Sequence, residues 1–122
     1  MKKLILTIDD EESIRSILAE YLSDQGYRVT AVSSPSEARR AVTREVPQLI
    51  ITDLQLEDSD GLDLVAQLKA SHEAIPVILL TGVLFDARVA ENLESKSISS
   101  YLSKTAPLSR VLAEVRRLIG PD

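Results

Sequence analysis

Five short apolar runs rich in β-branched residues recur every 20 to 28 positions along the chain, and helix-patterned segments separate them. That alternation limits the possible folds more than any other feature. The runs are Leu4-Ile5-Leu6-Thr7-Ile8, Val29-Thr30-Ala31-Val32, Leu49-Ile50-Ile51-Thr52, Val77-Ile78-Leu79-Leu80 and a weaker one from Ile98 to Leu102. Four are nearly continuous in apolar character, as strands covered on both faces are. Strand and helix alternating five times imply right-handed crossovers and a parallel sheet with helices on both sides. The expected fold is therefore α/β: a five-stranded parallel sheet in the order 2-1-3-4-5 with five helices on both faces. A chain of 122 residues has room for one such domain, so 1–122 is read as a single domain.

The intervening segments carry recognisable helix signals. Ile14, Ile17, Leu18, Tyr21 and Leu22 follow i, i+3, i+4, i+7, i+8 spacing, and Gly26 stands where a left-handed C-cap belongs. Ser34-Pro35-Ser36-Glu37 reads as a capping box with Pro at the first helical position, and Pro47 ends that helix before the third strand. Leu62, Val65 and Leu68 define a third helix after Gly61. Leu108, Val111, Leu112, Val115, Leu118 and Ile119 define a last one behind Pro107. The fourth, roughly Asp86 to Glu94, has the poorest apolar side, mostly Ala87, Ala90 and Leu93. Little apolar area holds it down, so it is the element expected to shift most readily.

Composition removes several classes of function. With no Cys there is no disulfide framework, thiolate metal site or thiol nucleophile, and the single His72 cannot build a zinc site. No apolar run approaches the ~18 residues that span a bilayer. Lys2-Lys3 before Leu4 to Leu6 imitates the start of a signal peptide, but Asp9-Asp10-Glu11-Glu12 ends the apolar stretch too early. A net charge of −5 argues against sequence-independent nucleic-acid binding, and 3% aromatic residues argue against base-stacking platforms. A cytoplasmic domain with no membrane or nucleic-acid partner is expected. Its chemistry must come from carboxylates, hydroxyls and Lys.

In open α/β sheets, ligands bind beyond the carboxyl ends of the strands, where strand order reverses. Strand one ends in Asp9-Asp10, strand three in Asp53, strand four in Thr81 and strand five in Ser103-Lys104. Three carboxylates, a hydroxyl and an ammonium should therefore converge. Carboxylates packed together repel and call for a cation, and hard oxygen ligands favour Mg²⁺, with Mn²⁺ able to substitute. Thr81 and Lys104 are the donors that a phosphoryl group requires, so the implied chemistry is phosphoryl transfer to or from an Asp. Each group alone has an ordinary explanation. An acidic pair after a strand complements a helix N-terminus, Asp53 could be a turn residue, and Thr81 could bond to backbone. Their joint placement favours chemistry. His72 falls at the opposite edge as a surface residue, and Glu57-Asp58-Ser59-Asp60 reads as a solvated acidic loop.

These residues closely resemble the receiver domain of two-component response regulators, along the whole chain. Asp9-Asp10, Asp53 within Leu49-Ile50-Ile51-Thr52-Asp53-Leu54-Gln55-Leu56, Asp60-Gly61-Leu62, Thr81-Gly82 and Tyr101-Leu102-Ser103-Lys104 stand in the order and approximate spacing of that family. The resemblance implies that Asp53 is the phosphoacceptor and that Asp10 and Asp53 bind Mg²⁺ directly. It also implies that Asp9 binds through water and that the backbone carbonyl of Gln55 completes the protein ligands. Thr81 would hydrogen-bond the phosphoryl group, Lys104 would pair with it, and Tyr101 would turn inward on activation. Gln55 and Val83 would flank the path of the hydrolytic water. The donor would be a histidine kinase, a histidine phosphotransfer protein or a small acyl phosphate. The readout would be a surface of helix four, strand five and helix five that controls a partner or output domain. Such a protein is a signalling receiver rather than an enzyme, although it catalyses its own phosphorylation and dephosphorylation.

The chain departs from the family pattern in three places. Leu56-Glu57-Asp58 replaces the usual Pro-containing loop after the acceptor. Thr105 follows Lys104 where the family has Pro in a cis peptide, so a trans bond is expected, because a non-Pro cis bond costs ~2.5–4 kcal/mol. Ser97-Ile98 replaces Gly-Ala before the fifth strand. The alternative is a receiver-like interaction module that works without phosphorylation, against which stands the retention of every functional group. Other α/β enzymes fail on residues. Asp53-Leu54-Gln55 lacks the second Asp of a dehalogenase-type phosphatase, and strand one is followed by no Gly-rich phosphate loop.

Overall fold

The computed structural model describes residues 2–56, 59–82, 91 and 97–121. Its elements are β1 (Leu4–Ile8), α1 (Glu12–Asp24), β2 (Arg28–Val32), α2 (Pro35–Arg44), β3 (Leu49–Asp53), α3 (Gly61–Ser71), β4 (Val77–Thr81), β5 (Ser100–Ser103) and α4 (Leu108–Ile119). The five strands form one sheet in the order β2-β1-β3-β4-β5 with every pair parallel, as expected from the sequence. Between β3 and α3, Gln55–Leu56 pairs antiparallel with Ser59–Asp60 in a two-residue ribbon that the sequence did not announce. Four helices lie among the described residues. The helix expected over Asp86 to Glu94 falls outside them except for Glu91, which is helical, and Glu57, Asp58 and Val83 also lie outside.

The continuous apolar runs follow from a sheet that is buried on both faces. Successive side chains on a strand point to opposite sides. Leu6, Ile8, Ile50 and Val77 meet Ala38, Ala41 and Val42 of α2 and Leu64, Val65 and Leu68 of α3 on one face. On the other face Ile5, Leu49, Ile51, Ile78 and Leu80 meet Leu18 and Leu22 of α1 and Val111, Leu112 and Val115 of α4. Each Leu, Ile or Val side chain so removed from water contributes ~1.5–3 kcal/mol of transfer free energy. Ile17 differs from its periodic neighbours and is half exposed. The buried stripe of α1 runs through Leu18 and Leu22, flanked by Ile14 and Tyr21, and Ile17 lies past its margin.

The helix boundaries follow local chemistry. Gly26 adopts φ 99°, the left-handed conformation that closes α1, with its N–H donating to the Ser23 carbonyl. Ser34 caps α2 by accepting from the Glu37 N–H at 3.3 Å. The reciprocal arm of the box is displaced by one residue: Glu37 Oε2 accepts from the Ser33 N–H at 2.8 Å and the Ser33 hydroxyl at 2.7 Å. Asp60 caps α3 through the Leu62 N–H at 2.7 Å, so the end of the acidic run has a structural task. His72 ends α3 near the amino end of β4, away from the carboxyl edge, as expected. None of the described helices is long and apolar enough to cross a membrane.

Candidate functional site at the carboxyl edge of the sheet

Strand register assembles the site. Ile8 sits beside Thr52, Asp53 beside Leu80, and Thr81 beside Ser103, so the residues that end β1, β3, β4 and β5 form one row. Asp9 continues the ladder beyond β1, its N–H donating to the Val32 carbonyl at 3.1 Å, and is almost fully buried at 3% exposure. Asp53 is buried at 5%. Asp10 and Glu11 are exposed at the start of α1. Thr81 is buried, and its carbonyl accepts the Lys104 N–H at 2.9 Å, which fixes the point from which the Lys104 side chain reaches back.

Lys104 Nζ lies at the centre of the cluster, 2.8 Å from Asp53 Oδ2, 3.0 Å from Asp9 Oδ2 and 2.7 Å from Glu11 Oε1. The contact with Glu11 was not expected from the sequence, which had assigned that residue only to the helix N-terminus. Its sole signal was its place in Asp9-Asp10-Glu11-Glu12. Carboxylate oxygens of Asp9, Asp10, Glu11 and Asp53 all lie within 4.8 Å of one another. Four carboxylates against one ammonium leave a formal charge of −3. Oxygens on opposite sides of Mg²⁺ stand about 4.2 Å apart, so a subset of these groups with water fits a hard divalent cation.

The electrostatics record this imbalance. Burial pushes the Asp9 carboxyl above its usual range, more than its bonds from the Glu11 N–H and Lys104 pull it down, and the Asp53 charge adds repulsion. Burial alone would lower the Lys104 ammonium, but its bonds to Asp53, Glu11 and Asp9 outweigh that and hold it above the ordinary lysine value. The two shifts are compatible because Lys104 divides one charge among three carboxylates, while Asp9 meets the full cost of burial.

Other groups hold the frame. The Gln55 N–H donates to Asp53 Oδ1 at 3.3 Å, and the Glu11 N–H donates to Asp9 Oδ1 at 2.9 Å. Arg15 Nη1 donates to the Asp9 carbonyl at 2.9 Å, pinning the β1–α1 turn from one turn into the helix, a role that the sequence did not disclose. Gly61 is required by a close approach. A Cβ there would overlap the Asp53 carbonyl oxygen and crowd the Leu54 carbonyl, which accepts the Gly61 N–H at 2.6 Å. Tyr101, partly buried, packs against the cluster of Leu54, Leu62, Leu79 and Ile98. No cis peptide is present among the described residues. The turn after Lys104 is held by Ser103, whose hydroxyl accepts the Thr105 N–H at 3.1 Å.

Comparison with known proteins agrees with this geometry. Residues 5–116 match the family model for the response regulator receiver domain. The transcriptional regulatory protein GltR of Pseudomonas aeruginosa is 34% identical over 118 residues, covering 94% of this chain and 48% of that protein. CssR of Bacillus subtilis is 29% identical over 119 residues, covering 98% of this chain and 52% of that protein. The chain thus spans about half the length of these curated relatives. Among solved structures, the non-phosphorylated receiver domain of HemR from Leptospira biflexa superposes with a TM-score of 0.89 at 26% identity, covering 99% of this chain and 97% of that one. The parallel sheet, the acidic row with its lysine and a family match over nearly the whole length lead to one assignment: this chain belongs to the response regulator receiver domain family of two-component signalling.

Proposed function

We propose that residues 1–122 form a single receiver domain that accepts a phosphoryl group on Asp53 from a histidine kinase or histidine phosphotransfer protein. The observation that carries this reading is the Lys104 ammonium, 2.8 Å from Asp53 Oδ2 and in contact with Asp9, at the carboxyl edge of the sheet. An Asp53 carboxylate oxygen attacks phosphorus, the bond to the donor imidazole nitrogen breaks, and the leaving imidazole keeps the electron pair. Lys104 lies where it can pair with the new phosphoryl oxygens, and the Thr81 hydroxyl supplies a neutral donor one strand over. Asp10, Asp53 and the Gln55 carbonyl would hold Mg²⁺ directly and Asp9 through water. When bound, the ion neutralises charge on the transferring group.

A phosphoryl group on Asp53 would favour the state in which Thr81 bonds to it and Tyr101 packs inward. The surface of the fourth predicted helix, β5 and α4 would then change and control a partner or output domain. The protein acts as a cytoplasmic signalling receiver rather than as an enzyme on an external substrate. Mass spectrometry after incubation with acetyl phosphate and Mg²⁺ tests the reading: one phosphoryl group is expected on Asp53, and none in Asp53→Asn. Full labelling of that variant would refute the assignment.

A further inference from the structure

The sheet edge at β2 carries an arrangement that phosphoryl chemistry does not use. Among the described residues β2 pairs only with β1. In a parallel ladder, alternate residues turn both backbone groups to the same neighbour. The Arg28 N–H bonds to the Lys3 carbonyl, and the Val32 carbonyl accepts the Asp9 N–H, so the even positions face β1. Val29 and Ala31 therefore turn their N–H and C=O groups outward. Ala31 is exposed, and its methyl is too small to shield them.

Beside this edge runs a groove of about 740 Å³, with Thr30 and Ala31 on the strand side and Arg40, Thr43 and Arg44 on the α2 side. The helix wall is basic in a chain whose net charge is −5: α2 carries Arg39, Arg40 and Arg44 against Glu37. Glu37 is committed to Ser33, and Arg39 bonds Gln67 at 3.0 Å. Arg28, on the strand itself, is neutralised by Glu45 through two bonds of 2.6 and 3.0 Å. Arg40 and Arg44 make no hydrogen bond or ion pair among the described residues. Four residues apart on a helix, they share a face about 6 Å apart. Alternate side chains of an extended strand repeat at about 6.6 Å.

From this geometry we infer that the β2 edge and the α2 groove dock an extended acidic segment of a partner protein, added to the sheet as a strand beside β2. Main-chain bonds to Val29 and Ala31 supply the attachment, and alternate carboxylates on Arg40 and Arg44 supply the selectivity. A second copy of this chain is a poor occupant, because edge-to-edge pairing would bring the unpaired arginines of both copies together.

The test is a titration of the ¹⁵N-labelled protein with a short peptide of alternating Glu and Val, alongside its Lys/Val counterpart and inorganic phosphate. The Glu/Val peptide should shift Val29 and Ala31 and slow their amide exchange, equally in Asp53→Asn, so the outcome is separable from the phosphoryl reading. The double variant R40E/R44E should weaken binding about tenfold. Ala31→Pro, which removes a donor that the β1 ladder does not use, should abolish the protection at Val29. Any of four outcomes would overturn the inference: shifts confined to α2 and reproduced by phosphate alone, comparable binding of the Lys/Val peptide, undiminished affinity in R40E/R44E, or self-association through β2.

Discussion

At the scale of single residues, Asp9 and Gly61 show what the site demands of its surroundings. Burial raises the Asp9 carboxyl above its usual range, so the folded chain holds this proton more tightly than the unfolded chain does, and ionisation of Asp9 at neutral pH works against folding. Asp9→Asn never ionises and leaves Lys104 its contacts with Glu11 and Asp53. In buffer without divalent cations at pH 7, its thermal midpoint should match or exceed that of the unaltered protein, while its response to Mg²⁺ weakens. A midpoint several degrees lower would contradict this account. Gly61 is constrained by contact rather than by a special dihedral angle, because a Cβ would strike the Asp53 carbonyl oxygen and force the acceptor strand to move. Gly61→Ala should cost ~1–3 kcal/mol in denaturant unfolding and slow phosphorylation of Asp53. Gly82→Ala is the control, since among the described residues its Cβ would meet nothing nearer than Lys104 Cδ at 3.9 Å, and it should be close to neutral.

At the scale of elements, the start of α2 links local sequence to the pH dependence of stability. The Ser33 hydroxyl and N–H hold the partly exposed Glu37 carboxyl below the ordinary glutamate value of 4.5, with a smaller contribution from the Arg40 charge. A carboxyl whose folded value is depressed stabilises the protein above its unfolded value, and the benefit is lost as pH falls through the folded value. Glu37→Gln should therefore be less stable than the unaltered protein at pH 7, and the difference should close under acid below pH 4.5. Urea unfolding at several pH values measures this, and a difference that stayed constant with pH would assign the effect to packing instead. The Ser34-Pro35-Ser36-Glu37 box was legible because capping is a contact between near neighbours in sequence. Its displacement onto Ser33 was not, because that depends on how β2 delivers the chain to α2.

At the scale of the whole molecule, four carboxylates and one ammonium leave the carboxyl edge of the sheet with excess negative charge. The unfolded chain disperses these groups, so a cation that binds them together binds the folded state selectively. Mg²⁺ should raise the thermal midpoint, with a stabilisation approaching ~2.7 kcal/mol at a hundredfold excess over its dissociation constant. Scanning fluorimetry across a Mg²⁺ series measures the shift, and Asp10→Asn should abolish most of it. No shift at millimolar Mg²⁺ would remove the metal from the proposed function.

The sequence by itself determined the strand order, the approximate extent of the described elements and the row of Asp9, Asp10, Asp53, Thr81 and Lys104. Those follow from side-chain periodicity, turn residues and the rule that places ligands at strand ends, all of which are local or topological. Only the tertiary structure decided that Glu11 joins Asp9 and Asp53 on one ammonium, that Arg15 pins the turn beneath them, and that Gly61 is needed for clearance. It also decided that Ile17 escapes burial, and it showed the β2 edge, unpaired among the described residues, beside Arg40 and Arg44. These facts depend on ångström-scale distances between residues as far apart in sequence as Glu11 and Lys104. Such distances are set when two helices and a strand pack onto one sheet edge, and no residue spacing encodes them.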